Sequence, residues 1–256
     1  MREFGIPKEI NSPISFVTLE ELQSHREYRD AKAGSKISAG NLVADILSKY
    51  HEEIRYLYDH DVIFVSPFAI ESSGNNMIPL AMSEYLASIV GAHTDVTAAI
   101  QTNKVYHTGA KMMERIIAQP QFSGNVKPGG KYVLVDDVTM GGSTMAAMAN
   151  HIRSSGGIVV GISTLTNRSR FDSIQPSKKS LNTVEERLGD ALREEFSIDP
   201  QTLTASEASY LAGFRNANEL RNRVIKAGSE RIERLFSKGI LISKGVEQRI
   251  DDGLGM

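Results

Sequence analysis

"KYVLVDDVTMGGSTMAAMANHIRSSGG", residues 131–157, decides the fold. Its apolar run "YVLV" (132–135) is β-branched and aromatic, and reads as a buried strand. "STMAAMANHIRSS" (143–155) reads as a helix, with Met145, Met148 and Ile152 on one face and Gly156–Gly157 closing it. "IVVGISTLT" (158–166) is the next strand. Strand, helix and strand in this order make a parallel unit. In an open parallel sheet, ligands bind beyond the carboxyl ends of the strands. Asp136 and Asp137 stand at such an end. Gly141 and Gly142 let the backbone turn tightly and approach a ligand. Ser143 and Thr144 add hydroxyls where the free amides and dipole of a helix start attract an anion. Carboxylates suit sugar hydroxyls or magnesium, and the loop suits a phosphate. A sugar phosphate needs both within a few ångströms. The plain alternative is a capped helix, with Ser143 as its N-cap and the aspartates as solvated turn residues.

Working outward, "NLVADILSKYHEEIRYLYDH" (41–60) carries Leu42, Ile46, Tyr50 and Ile54 at helical spacing. "DVIFVSPF" (61–68) is a strand ended by proline, and "AIESSGNN" (69–76) is a loop. "IPLAMSEYLASIVGA" (78–92) is a helix with Pro79 in its first turn and Gly91 near its end. "DVTAAI" (95–100) reads as a strand and 109–119 as a short helix. "PQFSGNVKPGG" (120–130) reads as a loop. After about residue 175 the pattern is helical, in "LNTVEERLGDALREEF", "TASEASYLAGF" and "NELRNRVIKAGSERIERLF". The expected class is α/β, an open, mostly parallel sheet flanked by helices. Residues 1–56 form a flanking or hood segment, 57–175 the core and 176–256 a helical C-terminal extension.

The chain has 256 residues, a formal charge of −2 and no cysteine. Disulfides, thiolate catalysis and zinc–thiolate sites are excluded. The balance of charge gives no reason to expect nucleic-acid binding. The basic stretch 215–238 reads as a solvated helix face. The first residues lack the apolar core of a secretory signal, and no run approaches the roughly 18 apolar residues of a membrane helix. The expectation is a cytoplasmic protein with no membrane partner; a homodimer is left open. The six histidines show no ligand spacing. A P-loop is absent, because "GNVKPGGK" (124–131) misses the register and precedes a strand. No dinucleotide fingerprint or nucleophile elbow follows any strand.

"VLVDDVTMGGST" (133–144) resembles the 5-phosphoribosyl-1-pyrophosphate (PRPP) binding motif of the type I phosphoribosyltransferases. Strand, two acids, apolar residue, short glycine loop and helix occur in the family's order. The resemblance covers roughly residues 60–170. It implies that Asp136 and Asp137 engage the ribose hydroxyls, directly or through magnesium. It implies that Met140, Gly141, Gly142, Ser143 and Thr144 wrap the 5-phosphate. The family's pyrophosphate loop corresponds to Ser72, Ser73, Gly74 and Asn75. Its mobile loop corresponds to the weakly patterned 101–130 segment, with Lys104, His107 and Lys111 as candidate cations. Base recognition corresponds to "TLTNRSRF" (164–171), with Arg168, Arg170 and Phe171 as candidates. The implied reaction is attack of a base nitrogen on C1 of PRPP, expelling pyrophosphate. Met140 stands where the 6-oxopurine enzymes carry an acid, which argues against hypoxanthine or guanine. The same fold also serves non-catalytic regulators that bind PRPP or a nucleotide, and that reading stays open.

Overall fold

The computed structural model describes residues 1–68, 70–71, 74–106 and 109–240, with residues 70, 71, 74 and 75 described by their backbone alone. The strands are β1 (Ile14–Ser15), β2 (Val62–Val65), β3 (Ile70–Glu71), β4 (Gly74–Asn75), β5 (His93–Thr94), β6 (Ile100–Gln101), β7 (Phe122–Ser123), β8 (Lys131–Thr139) and β9 (Ile158–Asn167). The first five helices are α1 (Leu19–Ser24), α2 (Tyr28–Lys32), α3 (Lys36–Leu47), α4 (His51–Leu57) and α5 (Ile78–Val90). The rest are α6 (Met112–Ile117), α7 (Ser143–Ser154), α8 (Lys178–Phe196), α9 (Ala205–Leu211) and α10 (Ala217–Ser237).

The main sheet has the order β1-β9-β8-β2-β5, and every pairing in it is parallel. Strand β8 lies at its centre. Tyr132, Val133, Leu134 and Val135 are buried, as an uninterrupted apolar run in a doubly covered strand requires. On one face Val133, Val135, Phe64 and Leu165 pack with Leu22, Leu42, Ile46 and Leu86 from the helices α1, α3 and α5. On the other, Tyr132, Leu134, Val159 and Ile162 meet Met145, Met148 and Ile152 of α7. A third core, with Met113, Leu188, Leu192, Leu211 and Leu220, binds α6, α8, α9 and α10 to one another. The expected α/β class is therefore observed, with the helical C-terminal region beside it.

The amino-terminal residues tie this third layer to the sheet. Arg2 bridges in parallel to Ile198. The Gln175 side-chain amide donates to the carbonyls of Pro7 (2.9 Å) and Ile10 (2.8 Å). Strand β1 pairs along Ser163 and Thr164 of β9, so the first 56 residues contribute both a strand of the main sheet and part of its core.

Several boundaries differ from the sequence reading. The helix expected over 41–60 starts at Lys36, because Ser35 accepts from the Ser38 amide as an N-cap. It breaks at a 3-10 turn over Ser48–Tyr50 before α4. There the Tyr50 hydroxyl is drawn to the Phe16 carbonyl at 2.8 Å. Of the strand expected over 95–100 only Ile100 is extended, as the first residue of β6. The Asp95 carboxylate accepts from the amides of Thr97 (2.8 Å) and Ala98 (3.0 Å), and this local turn overrides β-propensity. Only His93–Thr94 joins the sheet. The 69–76 segment expected as a loop carries the short antiparallel pair β3–β4, and Phe122–Ser123 within the expected 120–130 loop pairs with β6. Helix α5 agrees with expectation, down to Gly91 in the left-handed region at φ 75°. Strand β8 runs past the expected end at Val135. Its pairing with β9 continues through Asp136↔Thr164 to Thr139↔Asn167, and this partner outweighs the poor strand propensity of aspartate.

Candidate functional site

The acid pair is thus part of the last turnless stretch of β8 rather than a loop beyond it. Asp137 is buried, at 4% exposure, while Asp136 is half-buried. Asp136 Oδ1 accepts from the Asp137 amide at 2.9 Å. The Lys32 ammonium, arriving from α2, lies 2.7 Å from Asp137 Oδ2. Burial and then the neighbouring negative charge of Asp137 push the Asp136 carboxyl well above the usual range. Burial also works against ionisation of Asp137. There the Lys32 charge and hydrogen bond prevail and hold the carboxyl below the usual range.

After Thr139 the chain turns through an exposed Met140 into two buried glycines. Gly142 is the N-cap of α7 and sits at φ 78°, a conformation only glycine adopts without strain. Ser143, weighed as the cap, is instead the first helical residue. Its hydroxyl is buried and makes no hydrogen bond of normal geometry, as is also true of Thr139 Oγ1. The amides of Gly141, Gly142, Ser143 and Thr144 donate to no protein group among the described residues. Thr144 is half-buried on the first turn of α7. These four donors lie at the start of a 12-residue helix, where free amides and the helix dipole attract anions.

A lid lies over this loop that the sequence reading missed. The Thr204 hydroxyl donates to the Gly141 carbonyl at 2.7 Å. A Cβ at position 142 would stand 3.1 Å from both Ile174 Cδ1 and Thr204 Cγ2. One at position 141 would stand 2.9 Å from Met112 Cε. Beside the loop remains a space of ≈ 10 Å³, bordered by Thr139, Gly141, Gly142, Thr204 and Ser206. That is about the room of one water. Behind Thr204, the fully buried Glu207 completes a capping box for α9 and forms an ion pair with Arg2 at 2.8 Å. The spacing Thr204-x-x-Glu207 is a capping-box signature legible in the sequence. No local signal marked Lys32, Ile174 or Arg2.

The remaining candidates fall in different places. Ser72, Ser73 and His107 lie outside the described residues. Gly74 and Asn75 form β4 between β2 and α5, where the pyrophosphate segment was expected. Lys104 is exposed and borders a separate groove of ≈ 1310 Å³ with Arg2, His151 and Arg231; none of residues 136–144 lines it. Lys111 is bound to Glu230 of α10 at 3.2 Å. Arg168 and Arg170 are exposed after β9, at the same end of the sheet as the acid pair. The Arg168 amide donates to the Thr139 carbonyl at 2.6 Å, and the Arg170 guanidinium lies over the Phe171 ring at 5.1 Å. In the basic 215–238 stretch, Arg215, Arg221 and Arg223 pair with Glu219, Glu195 and Glu230, and Arg231 and Arg234 with Glu114.

Magnesium commonly binds through one or two carboxylates, waters and substrate phosphates. Among the described residues no three His, Cys, Asp or Glu side chains converge on one point. A divalent ion bound here would draw on Asp136 and Asp137, and Asp137 Oδ2 already contacts an ammonium.

Fold and site define an open parallel α/β protein with an acid pair and a glycine loop at the carboxyl end of its central strand. No family model matches the chain. The chain is 32% identical over 223 residues to the protein TraN of Escherichia coli, a match covering 85% of this chain and 50% of that protein. It is 30% identical over 137 residues to an uncharacterized protein of Haemophilus influenzae, over 52% of this chain and 30% of the other. The matched region spans half or less of the length of these curated relatives. Among solved structures, the crystal structure of a hypoxanthine phosphoribosyltransferase from Staphylococcus aureus is similar, with a TM-score of 0.34 and 14% identity, over 51% of this chain and 67% of that one. A likeness of that size does not bear on what this chain does. Among the described residues no helix is long and apolar enough to cross a membrane.

Proposed function

We propose that the protein binds a 5-phosphoribosyl compound at the end of β8 and transfers its phosphoribosyl group to a nitrogenous base. One observation carries this reading. The Asp136–Asp137 pair and the uncommitted amides of residues 141–144 follow one another at the carboxyl end of the central parallel strand. The carboxylates accept from the ribose hydroxyls, while the loop amides and the Ser143 and Thr144 hydroxyls hold the 5-phosphate. PRPP is the donor. A base nitrogen forms the new bond at C1 as the bond to pyrophosphate breaks. Pyrophosphate leaves with the electron pair, and the base gives up its proton. Arg168, Arg170 and Phe171 are the proposed base contacts, and Ser72, Ser73, Gly74 and Asn75 the proposed pyrophosphate segment.

A second reading is a regulator on the same fold that binds PRPP or a nucleotide without turning it over. Ile174 and Thr204 press on Gly142, and the space left beside it is ≈ 10 Å³. That is room for about one water, so a sugar phosphate would have to approach the loop from the side away from the lid. Calorimetry with PRPP, followed by a pyrophosphate-release screen over a panel of bases, separates the two. Binding with release supports the transferase. Binding without release supports the regulator. No binding at millimolar PRPP leaves the loop a structural cap and ends both readings.

A further inference from the structure

The acid pair carries its own cation. The Lys32 ammonium contacts Asp137 Oδ2 at 2.7 Å, with 5% of the aspartate side chain and 26% of the lysine side chain exposed. This lysine does not reach in from a solvent-exposed loop. It is the last residue of α2, next to Ala31, which is fully buried in the same core as Val133 and Val135 of β8. The Ala31 carbonyl accepts from the Met77 amide at 3.2 Å, which joins the end of α2 to the start of α5. The other acid is also engaged, since Asp136 Oδ1 accepts from the Asp137 amide. A magnesium ion sits about 2.0–2.1 Å from its oxygen ligands and demands near-octahedral space around itself. On Asp137 Oδ2 it would collide with the ammonium and be repelled by its charge.

We propose that Lys32 stands in the divalent-cation position of the Asp136–Asp137 pair, so that a ligand here meets two carboxyl groups and an internal ammonium, with no metal bridging it to the protein. An ammonium offers three donors and no acceptor, so the combination suits a polyhydroxylated anion. That the anion is a sugar phosphate rests on the reading above. The placement of Lys32 in the cation's position does not.

Manganese is the probe, followed by its paramagnetic resonance and by thermal melts of the full chain. The parent should bind no stoichiometric ion, and its melt should not respond to manganese. Lys32→Gln should gain one manganese site and a melt that rises with the ion. Adding Asp137→Asn to that variant should abolish both. The proposal is overturned if the parent binds one ion that Asp137→Asn removes, or if a folded Lys32→Gln gains none. If Lys32→Gln does not fold, the parent and Asp137→Asn decide alone, because a parental site at Asp137 is incompatible with the lysine in its place. In a separate arm, ribose 5-phosphate should bind the parent equally well in magnesium and in chelator. Loss of binding in chelator counts against the lysine. Absence of binding in both sinks the sugar-phosphate reading, and the manganese arms still decide on Lys32.

Discussion

The hydroxyl of Thr204 donates to the carbonyl of Gly141 at 2.7 Å, and the same oxygen accepts from the Glu207 amide at 3.3 Å. One side chain thus caps α9 and holds down the loop before α7. Thr204→Val keeps the shape and removes both bonds. It should lose about 1–3 kcal/mol of stability in urea titrations, since it leaves buried polar groups without partners. Thr204→Ser keeps the hydroxyl and should lose less. A valine variant as stable as the parent would mean the contact is idle.

The two loop glycines should respond differently to one added methyl group. At Gly141 the new atom meets Met112 Cε, the far end of a flexible side chain that can swing aside. At Gly142 it meets Ile174 and Thr204, and the backbone already sits at φ 78°. The left-handed conformation alone costs an L-residue roughly 1–2 kcal/mol. Gly142→Ala should therefore be clearly less stable than Gly141→Ala by chemical denaturation. The reverse order would contradict the described lid.

Asp136 and Asp137 should give opposite stability effects when changed to asparagine. The raised carboxyl of Asp136 means the fold binds its proton more tightly than the unfolded chain does. Its contribution falls as pH rises from the unfolded value through the raised folded one. Asp136→Asn should match or exceed the parent at neutral pH. The lowered carboxyl of Asp137 contributes fully above the unfolded value and loses its effect as pH falls through the folded one. Asp137→Asn removes the ion pair with the Lys32 ammonium. Because Lys32 keeps 26% exposure, the loss should lie toward the lower end of the about 3–5 kcal/mol for a broken buried pair. Equal losses for the two variants at neutral pH would show that the acids are not distinguished by their surroundings.

Glu207 should govern part of the acid limb. Burial opposes its ionisation, but the charge and hydrogen bonds of Arg2 outweigh it and hold the carboxyl below the usual range. Arg2 Nη1 and Nη2 donate to it at 3.1 and 2.8 Å. A depressed folded value gives stability that is complete above the unfolded value, near 4.3 for glutamate, and is lost as pH falls through the folded one. Glu207→Gln should be well below the parent at neutral pH and converge on it in acid. Unfolding free energies measured along the acid limb check this; a constant gap at every pH would refute it.

What the sequence made legible was local. The β8–α7–β9 unit followed from an apolar run, a glycine pair and methionines at helical spacing. Helices α8 and α10 followed from long amphipathic patterns. The 95–100 strand was misread because Asp95 bonds its own following amides, which alternation of residue types does not reveal. The end of β8 was placed early because β9, not the residues of β8, extends it. At the site, the acids and the loop were visible as a motif. Lys32 and Arg2 were not, since each finds its carboxylate only after the chain has folded back on itself.

The Arg2–Glu207 pair joins residues separated by 205 positions. A ribosome adding about 5–20 residues per second needs roughly 10–40 s to make that length. Throughout that time the Arg2 guanidinium lacks Glu207, its partner in the finished fold. The sheet strands through β9 are complete well before. Synthesis therefore passes through a stage in which the sheet is finished and residues 3–10 can already settle on α7 and the sheet core, while Arg2 still waits for α9. Slowing translation just before residue 205 should lengthen the exposure of the Arg2 peptide bond to trypsin, while slowing it after α9 has cleared the ribosome should not.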